Sequence, residues 1–305
     1  MTNRPPIEVA FALALLDQEG VGRVTAHRLL ERFPTHESLL AYPREQVLIR
    51  LKGAPNAERT VARLFDLGVF RDALQKAEDE VKSLAEKHVR VIAVRHPHWP
   101  AGVGDLERPN RPVVLYAFGS TEALVGTSVA LHARPPVPGD AFETAQDLAR
   151  KLIDEGIPVA CGAQSGFDVV MHKLCSSANA QCVMVARSGL ARVDNQARPS
   201  IAAAVKAGGV LISSFPTTHG PFDHDDAERV LLQTALAGPS VFVAPREHTP
   251  EARALDWALG ADRPVFGVAG DDSEDALPLP ERVHALERPV DHDWVIAAAR
   301  TAADT

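Results

Sequence analysis

The chain has 305 residues, 46% hydrophobic, 24% charged and 5% aromatic, a folded globular composition that excludes disordered, fibrous and collagen-like classes. No apolar run approaches the roughly 18 residues that cross a bilayer, and Met1 to Pro6 lacks a basic-then-apolar leader, so no membrane and a cytoplasmic location are expected. The net charge of −8 divides into +1 over residues 1–90, −3 over 91–270 and −6 over 271–305, a distribution that counts against avid DNA binding except through a local basic groove.

From Glu8 to about His88 apolar residues recur at spacings of three and four, with breaks at Gly20 to Gly22, Phe33 to Thr35 and Gly53 to Asn56. This pattern predicts a small all-helical domain over 1–88. From Val91 the texture changes to short β-rich runs at 91–94, 113–118, 128–133, 158–162, 181–186, 209–215, 240–245 and 264–270. Helical segments at 140–155, 167–178, 199–208, 225–237 and 250–261 separate the later runs. Strand and helix in alternation predict an α/β fold, a doubly wound, Rossmann-like parallel sheet over 89–270. Residues 271–305 read as a Pro-rich acidic linker, expected to move, and one short C-terminal helix.

Two stretches stand out chemically. Glu19-Gly20-Val21-Gly22-Arg23 leads into a helix with small Ala26, and resembles a helix-hairpin-helix element whose backbone N–H groups meet phosphate. Arg23 and Arg28 would add contacts, and Lys52-Gly53-Ala54-Pro55 reads as a weaker second copy. A tight helix–helix turn that allows close packing gives the same pattern. In the larger domain, Gly162-Ala163-Gln164-Ser165-Gly166-Phe167-Asp168 follows a buried strand and opens a helix, so backbone can approach a phosphate at the sheet's carboxyl edge. His172 stands four residues after Asp168, which suggests a hydrogen bond bracing the loop more than an acid–base couple. Lys173 follows as a further cation.

Other features have plainer readings. His219, His224 and Asp223, Asp225, Asp226 have metal-ligand chemistry, yet Asp residues ahead of a helix serve as caps. Cys161 sits near a helix N-terminus, but Cys161, Cys175 and Cys182 fit reduced, buried thiols. Arg187, Arg192 and Arg198 flank an irregular segment, either as phosphate contacts or as solvated loop charges.

The order of these features resembles the DNA-processing protein A (DprA/Smf) family across about residues 8–270. Trp99-Pro100, Leu106, Pro112, Leu115-Tyr116 and Gly119 follow the family's opening pattern, and Cys161 to His172 its glycine loop. Gly209 to Pro216 and Arg263 to Gly270 match its later strand motifs. The chain also departs from the family. Only Arg134 remains of a Val-Gly-Ser-Arg loop, Arg229 is the nearest counterpart of an Arg-Asn-Arg triplet, and Thr249 to Ala254 replaces a Ser-Gly-Ser-Leu-Ile-Thr loop. Acidic residues now stand where phosphate would approach, so Coulomb repulsion opposes a polyanion there.

The resemblance implies a helix-hairpin-helix or SAM-like helical domain ahead of the Rossmann-like one. It also implies binding of single-stranded DNA, its protection during natural transformation, and its delivery to a recombinase, with a homodimer allowed. Arg134, Gly162, Ser165, Gly166, Asp168, His172, Lys173 and Arg229 are the expected phosphate and DNA contacts; Gly20, Gly22, Arg23 and Arg28 are a secondary set. No nucleophile–base–orienter set, Walker loop or paired carboxylates at a plausible site appear, so enzyme activity is not expected, nor is a cofactor or metal. Two other readings stay open: a nucleotide-sensing module, and a divergent paralogue acting as a protein-interaction subunit without DNA affinity.

Overall fold

The computed structural model describes residues 6–270 and 275–303. Met1 to Pro5, and Asp271 to Glu274 at the start of the expected acidic linker, lie outside the described residues. Contacts divide the chain into two units, Met1–Trp99 with Leu106–Tyr116, and Pro100–Asp105 with Ala117–Thr305.

The first unit holds α1 (Val9–Leu16), α2 (Arg23–Leu30), α3 (His36–Leu40), α4 (Arg44–Arg50), α5 (Ala57–Leu64) and α6 (Leu67–Glu86). Local chemistry sets their starts: Thr35 and Ser38 form a capping box on α3, and Asp66 accepts from Gly68 and Val69 N–H at the head of α6. Phe11 and Phe70 meet edge to face at 6.0 Å in its core. β1 (Val89–Ala93) follows, and the chain just beyond it returns a hydrogen bond from Val94 N–H to Val113 O. By contacts, residues 89–99 group with the helices, buried Val91, Ile92 and Ala93 among them.

β2 (Val114–Gly119) is followed by β3 (Val129–Ala133), α7 (Gly139–Asp154), β4 (Val159–Gly162), α8 (Phe167–Ser177), β5 (Cys182–Val185), α9 (Arg198–Lys206) and β6 (Val210–Ser213). Then come α10 (Asp225–Leu236), β7 (Ser240–Val243), α11 (Pro250–Gly260), β8 (Val265–Val268), β9 (His284–Ala285) and α12 (His292–Ala303). In the second unit the strands lie in the order β6-β5-β4-β3-β7-β8-β9, each pair parallel.

The alternation along β7 shows why the sheet is covered on both faces. Val241 and Val243 enter a core built with α7, α8, α9 and α12, whereas Phe242 between them enters a core with α10 and α11. Each such fully buried side chain contributes roughly 1.5–3 kcal/mol of hydrophobic stabilisation.

The chain leaves β3 toward α7 on one face and β7 toward α11 on the other, although β3 and β7 are neighbours. Diverging exits from adjacent strands open a crevice at the carboxyl edge, the usual ligand position in an open α/β sheet.

The tail is not a free appendage. β9 extends the sheet beside β8, Arg246 bridges to Ala276, and Val295, Ile296 and Ala299 of α12 complete the core that α7 lines. The spacing of those three residues places them on one helical stripe, which binds the C-terminal helix to the domain despite the acidity around it.

Candidate crevice at the carboxyl edge

The turn from β4 into α8 is built around Gly166 and Asp168. Gly166 takes φ +82° as N-cap of α8, a conformation L side chains rarely adopt, and a Cβ there would meet Pro135 Cγ at 3.3 Å. Asp168 accepts from Gly162 N–H at 3.2 Å and from Gln164 N–H at 3.1 Å, so the loop folds over its carboxylate. Burial pushes that carboxyl above its ordinary range, against the pull of Arg229, His172 and the two amides. His172 braces the same loop from below: Nε2–H donates to Gly162 O at 2.9 Å, and Nδ1 lies 3.0 Å from Ser200 Oγ, whose hydroxyl is also placed 2.8 Å from Ala197 O. The expected Asp168–His172 hydrogen bond is thus replaced by two separate braces, since the helix directs the imidazole back to the β4 carbonyl. Lys173 is exposed on α8, and Ser165 and Gly166 are exposed at its head.

Arg134, Ser165, Asp168 and Arg229 come together around one small cavity of about 150 Å3, joined by Asp226 and Glu251. Arg134 Nε donates to Glu251 Oε2 at 2.8 Å, and its terminal nitrogen donates to Asp226. Arg229, buried beside it, donates to Asp226 Oδ1 at 2.9 Å and to Gln233 Oε1 at 2.8 Å. Gln164 Nε2 also donates to Asp226 Oδ1, at 3.2 Å. Burial raises the Asp226 carboxyl, but Arg229 and Arg134 outweigh it and hold the group below its ordinary range. Two guanidiniums therefore face three carboxylates, and the carboxylates come from the first turns of α8, α10 and α11. Helix propensity explains that placement, because an acid in the first turn meets the positive end of the helix dipole and Thr249 caps α11. Gln233 escapes a reading by motif, as does the pairing of Gln164, Asp226 and Glu251 with one another and with the arginines; the signal the chain offers is its acids at helix starts.

A wider cleft of about 500 Å3 adjoins the other side of the same loop, lined by Gln164, Arg187, Arg192, Asp194, Asn195 and Gln196 among others. The Arg192 guanidinium has no hydrogen bond or ion pair among the described residues, although its backbone N–H donates to Gly189 O at 2.8 Å. Arg187 pairs loosely with the fully exposed Asp223 at 3.9 Å, and its charge also helps lower Asp194. Asp194 is lowered by the Gln196 N–H and by contact with Ser165, so it helps shape the loop. Arg198 donates to Ala191 O at 3.1 Å and holds the segment's own backbone.

The remaining candidates have structural partners. His219 Nε2 lies 2.8 Å from Asp225 Oδ2, and His224 Nε2 lies 3.3 Å from Oδ1. Asp225 also accepts from Phe222 N–H at 3.2 Å, tying this loop to the start of α10. Burial pushes the Cys161 thiol up, although its contact with Cys182 at 3.7 Å acts the other way. In the helical unit, Gly20 takes φ +84° beside Asn56, and Arg28 donates to Lys52 O at 3.3 Å, so the two glycine turns lie together. Gly22 caps α2 with open space around it, at an ordinary φ of −87°, and Arg23 is half-buried.

The fold has counterparts among known proteins. The sequence model for DNA recombination-mediator protein A matches residues 90–278. A putative DNA processing protein DprA of Mycobacterium tuberculosis is 25% identical over 218 residues, covering 66% of this chain and 54% of that protein. Protein Smf of Synechocystis sp. is 23% identical over 271 residues, covering 86% and 64%. The chain thus spans between about half and two thirds of the length of these relatives. DNA processing protein A from Streptococcus pneumoniae shares the fold with a TM-score of 0.61 at 13% identity, over 92% of this chain and 98% of that one. DNA processing protein A from Helicobacter pylori, whose single-stranded DNA binding mode has been described, superposes with a TM-score of 0.59 at 16% identity, over 69% and 97%. With the crevice residues 129–251 inside a match that spans more than half its length, the chain belongs to the DNA recombination-mediator protein A family.

Proposed function

We propose that this chain binds single-stranded DNA along the carboxyl edge of its sheet, protects the incoming strand and helps load it onto a recombinase during natural transformation. The family's description as a recombination mediator supports the role. The observation that carries the binding mode is Arg192, a cation without a partner among the described residues in a cleft of about 500 Å3, with Arg187 only loosely held beside it. Phosphates would be taken by these two guanidiniums and by backbone amides of the exposed Ser165–Gly166 turn, with little sequence preference. Titrating a fluorescent oligo-dT strand into the protein at low salt tests the reading: saturable, salt-sensitive binding supports it, and its absence refutes it.

The cleft volume also suits a single nucleotide, which keeps a nucleotide-sensing role as the second reading. Stabilisation by a mononucleotide without affinity for the strand would favour that role.

A further inference from the structure

We propose that Asp226 and Glu251 are specificity determinants: they occupy Arg134 as an internal counter-ion and thereby exclude phosphate from the crevice pocket, leaving the neighbouring Arg187–Arg192 cleft as the route for an anionic ligand. The oligonucleotide part of this inference rests on the proposed strand binding; the phosphate part does not.

The pocket has the parts of an anion site. It lies at the carboxyl edge beside the diverging β3 and β7 exits, and it brings Arg134 and Arg229 together with residues from the first turns of α8, α10 and α11. The positive helix ends and the two guanidiniums would favour a phosphate oxygen.

Each of those helices instead supplies its own anion, Asp168 from α8, Asp226 from α10 and Glu251 from α11. Glu251 engages both guanidiniums: Oε2 accepts from Arg134 Nε at 2.8 Å and Oε1 from Arg229 Nη2 at 3.4 Å. Asp226 likewise engages both, accepting from Arg134 through one oxygen and from Arg229 Nε at 2.9 Å through the other. The Asp226 and Glu251 side chains are only 6% exposed while that of Arg134 is 35% exposed, so the carboxylates lie beneath a cation that reaches the surface. An entering phosphate would have to displace two buried carboxylates from Arg134, leaving them to share Arg229 alone, and would meet their repulsion at close range.

The geometry separates two roles that one arginine-lined groove would otherwise combine. Arg134 and Arg229 fasten α10 and α11 to the sheet edge, and the cations of the adjoining cleft remain available.

The test uses the full chain and the isosteric variants Glu251→Gln and Asp226→Asn. Inorganic phosphate is the first probe, read by thermal unfolding in low-chloride buffer. Phosphate should raise the wild-type melting temperature only by what the open Arg187–Arg192 cleft supplies. Each variant should melt lower without phosphate and gain at least about 2 °C more than wild type when it is added, because the freed guanidinium now has an external anion to bind.

With oligo-dT, the variants should bind at least about tenfold more tightly than wild type at low salt, with a log–log salt slope steeper by roughly 0.7 for one added phosphate contact. Equal responses of wild type and variants to phosphate, whether both rise or neither does, would overturn the assignment. Wild type failing to bind the strand while the variants respond to phosphate would remove the proposed function and leave the assignment standing.

Should either carboxylate variant fail to fold, Arg134→Ala supplies an independent reading. It should lower the melting temperature and leave oligo-dT affinity within about twofold of wild type, whereas a substantial loss of affinity would show that Arg134 contacts the strand.

Discussion

Arg229 donates to Gln233 Oε1 at 2.8 Å, and the amide of Gln233 in turn donates to Leu131 O at 3.0 Å and Ala160 O at 3.2 Å. One fully buried side chain therefore links the crevice arginine to the backbones of β3 and β4. Gln233→Leu would leave both carbonyls and one guanidinium nitrogen without that partner. Since each unsatisfied buried group costs about 1–3 kcal/mol, the variant should lose at least that much stability in urea unfolding. A change below 0.5 kcal/mol, on the order of ordinary surface noise, would mean the link is idle.

The two motif glycines should behave differently. Gly166 holds φ +82° against Pro135, so Gly166→Ala should cost about 1–3 kcal/mol through backbone strain. Gly22 has ordinary dihedrals, open space and no side-chain cap, so Gly22→Ser should be neutral or gain a few tenths of a kcal/mol by capping α2. Thermal melts of the pair would decide whether the first glycine turn carries a conformational demand at its second position.

Stability should rise from pH 5 to pH 7. His132 is fully buried, its Nε2 bonded to Thr234 Oγ1 at 3.1 Å and its Nδ1 without a hydrogen-bond partner, and burial followed by Arg229 pushes its pKa well down. Burial lowers His172 as well. A depressed imidazole pKa means the unfolded chain binds more protons, so stability falls as pH drops below the unfolded value of about 6.5. Asp226, held low by its arginines, contributes in the same direction below about pH 4, whereas the raised Asp168 opposes it. His172→Gln should flatten the slope between pH 5 and 6.5 by up to about 1.4 kcal/mol per pH unit; an unchanged slope would place the titration elsewhere.

The C-terminal helix gives a contrasting pair. Val295 is fully buried and Trp294 is 49% exposed. Val295→Ala should cost about 1–3 kcal/mol and Trp294→Ala much less. Equal effects would mean that α12 is held by its edge and not by the Val295 stripe.

Much of the second unit is legible in the sequence because its strands are buried on both faces and read as continuous apolar runs, such as Val241-Phe242-Val243. β9 is not legible: His284–Ala285 has two residues, neither of them buried, and exists only because β8 offers it an edge. The Gly162–Asp168 loop is readable since its parts are consecutive. The state of Arg134 is not, because its partners Asp226 and Glu251 lie 92 and 117 positions away and reach it only after three helix starts converge. An acid at a helix start looks the same in sequence whether it merely caps the helix or also neutralises a neighbour.

The most direct measurement is the salt dependence of oligo-dT binding by wild type and by an Arg187→Ala/Arg192→Ala double variant, followed by fluorescence anisotropy. If the cleft carries the phosphates, the double variant should bind more weakly at low salt, with a log–log slope shallower by roughly 1.4, two contacts at about 0.7 each. An unchanged slope with wild-type affinity would contradict the account and move the strand away from this edge of the sheet.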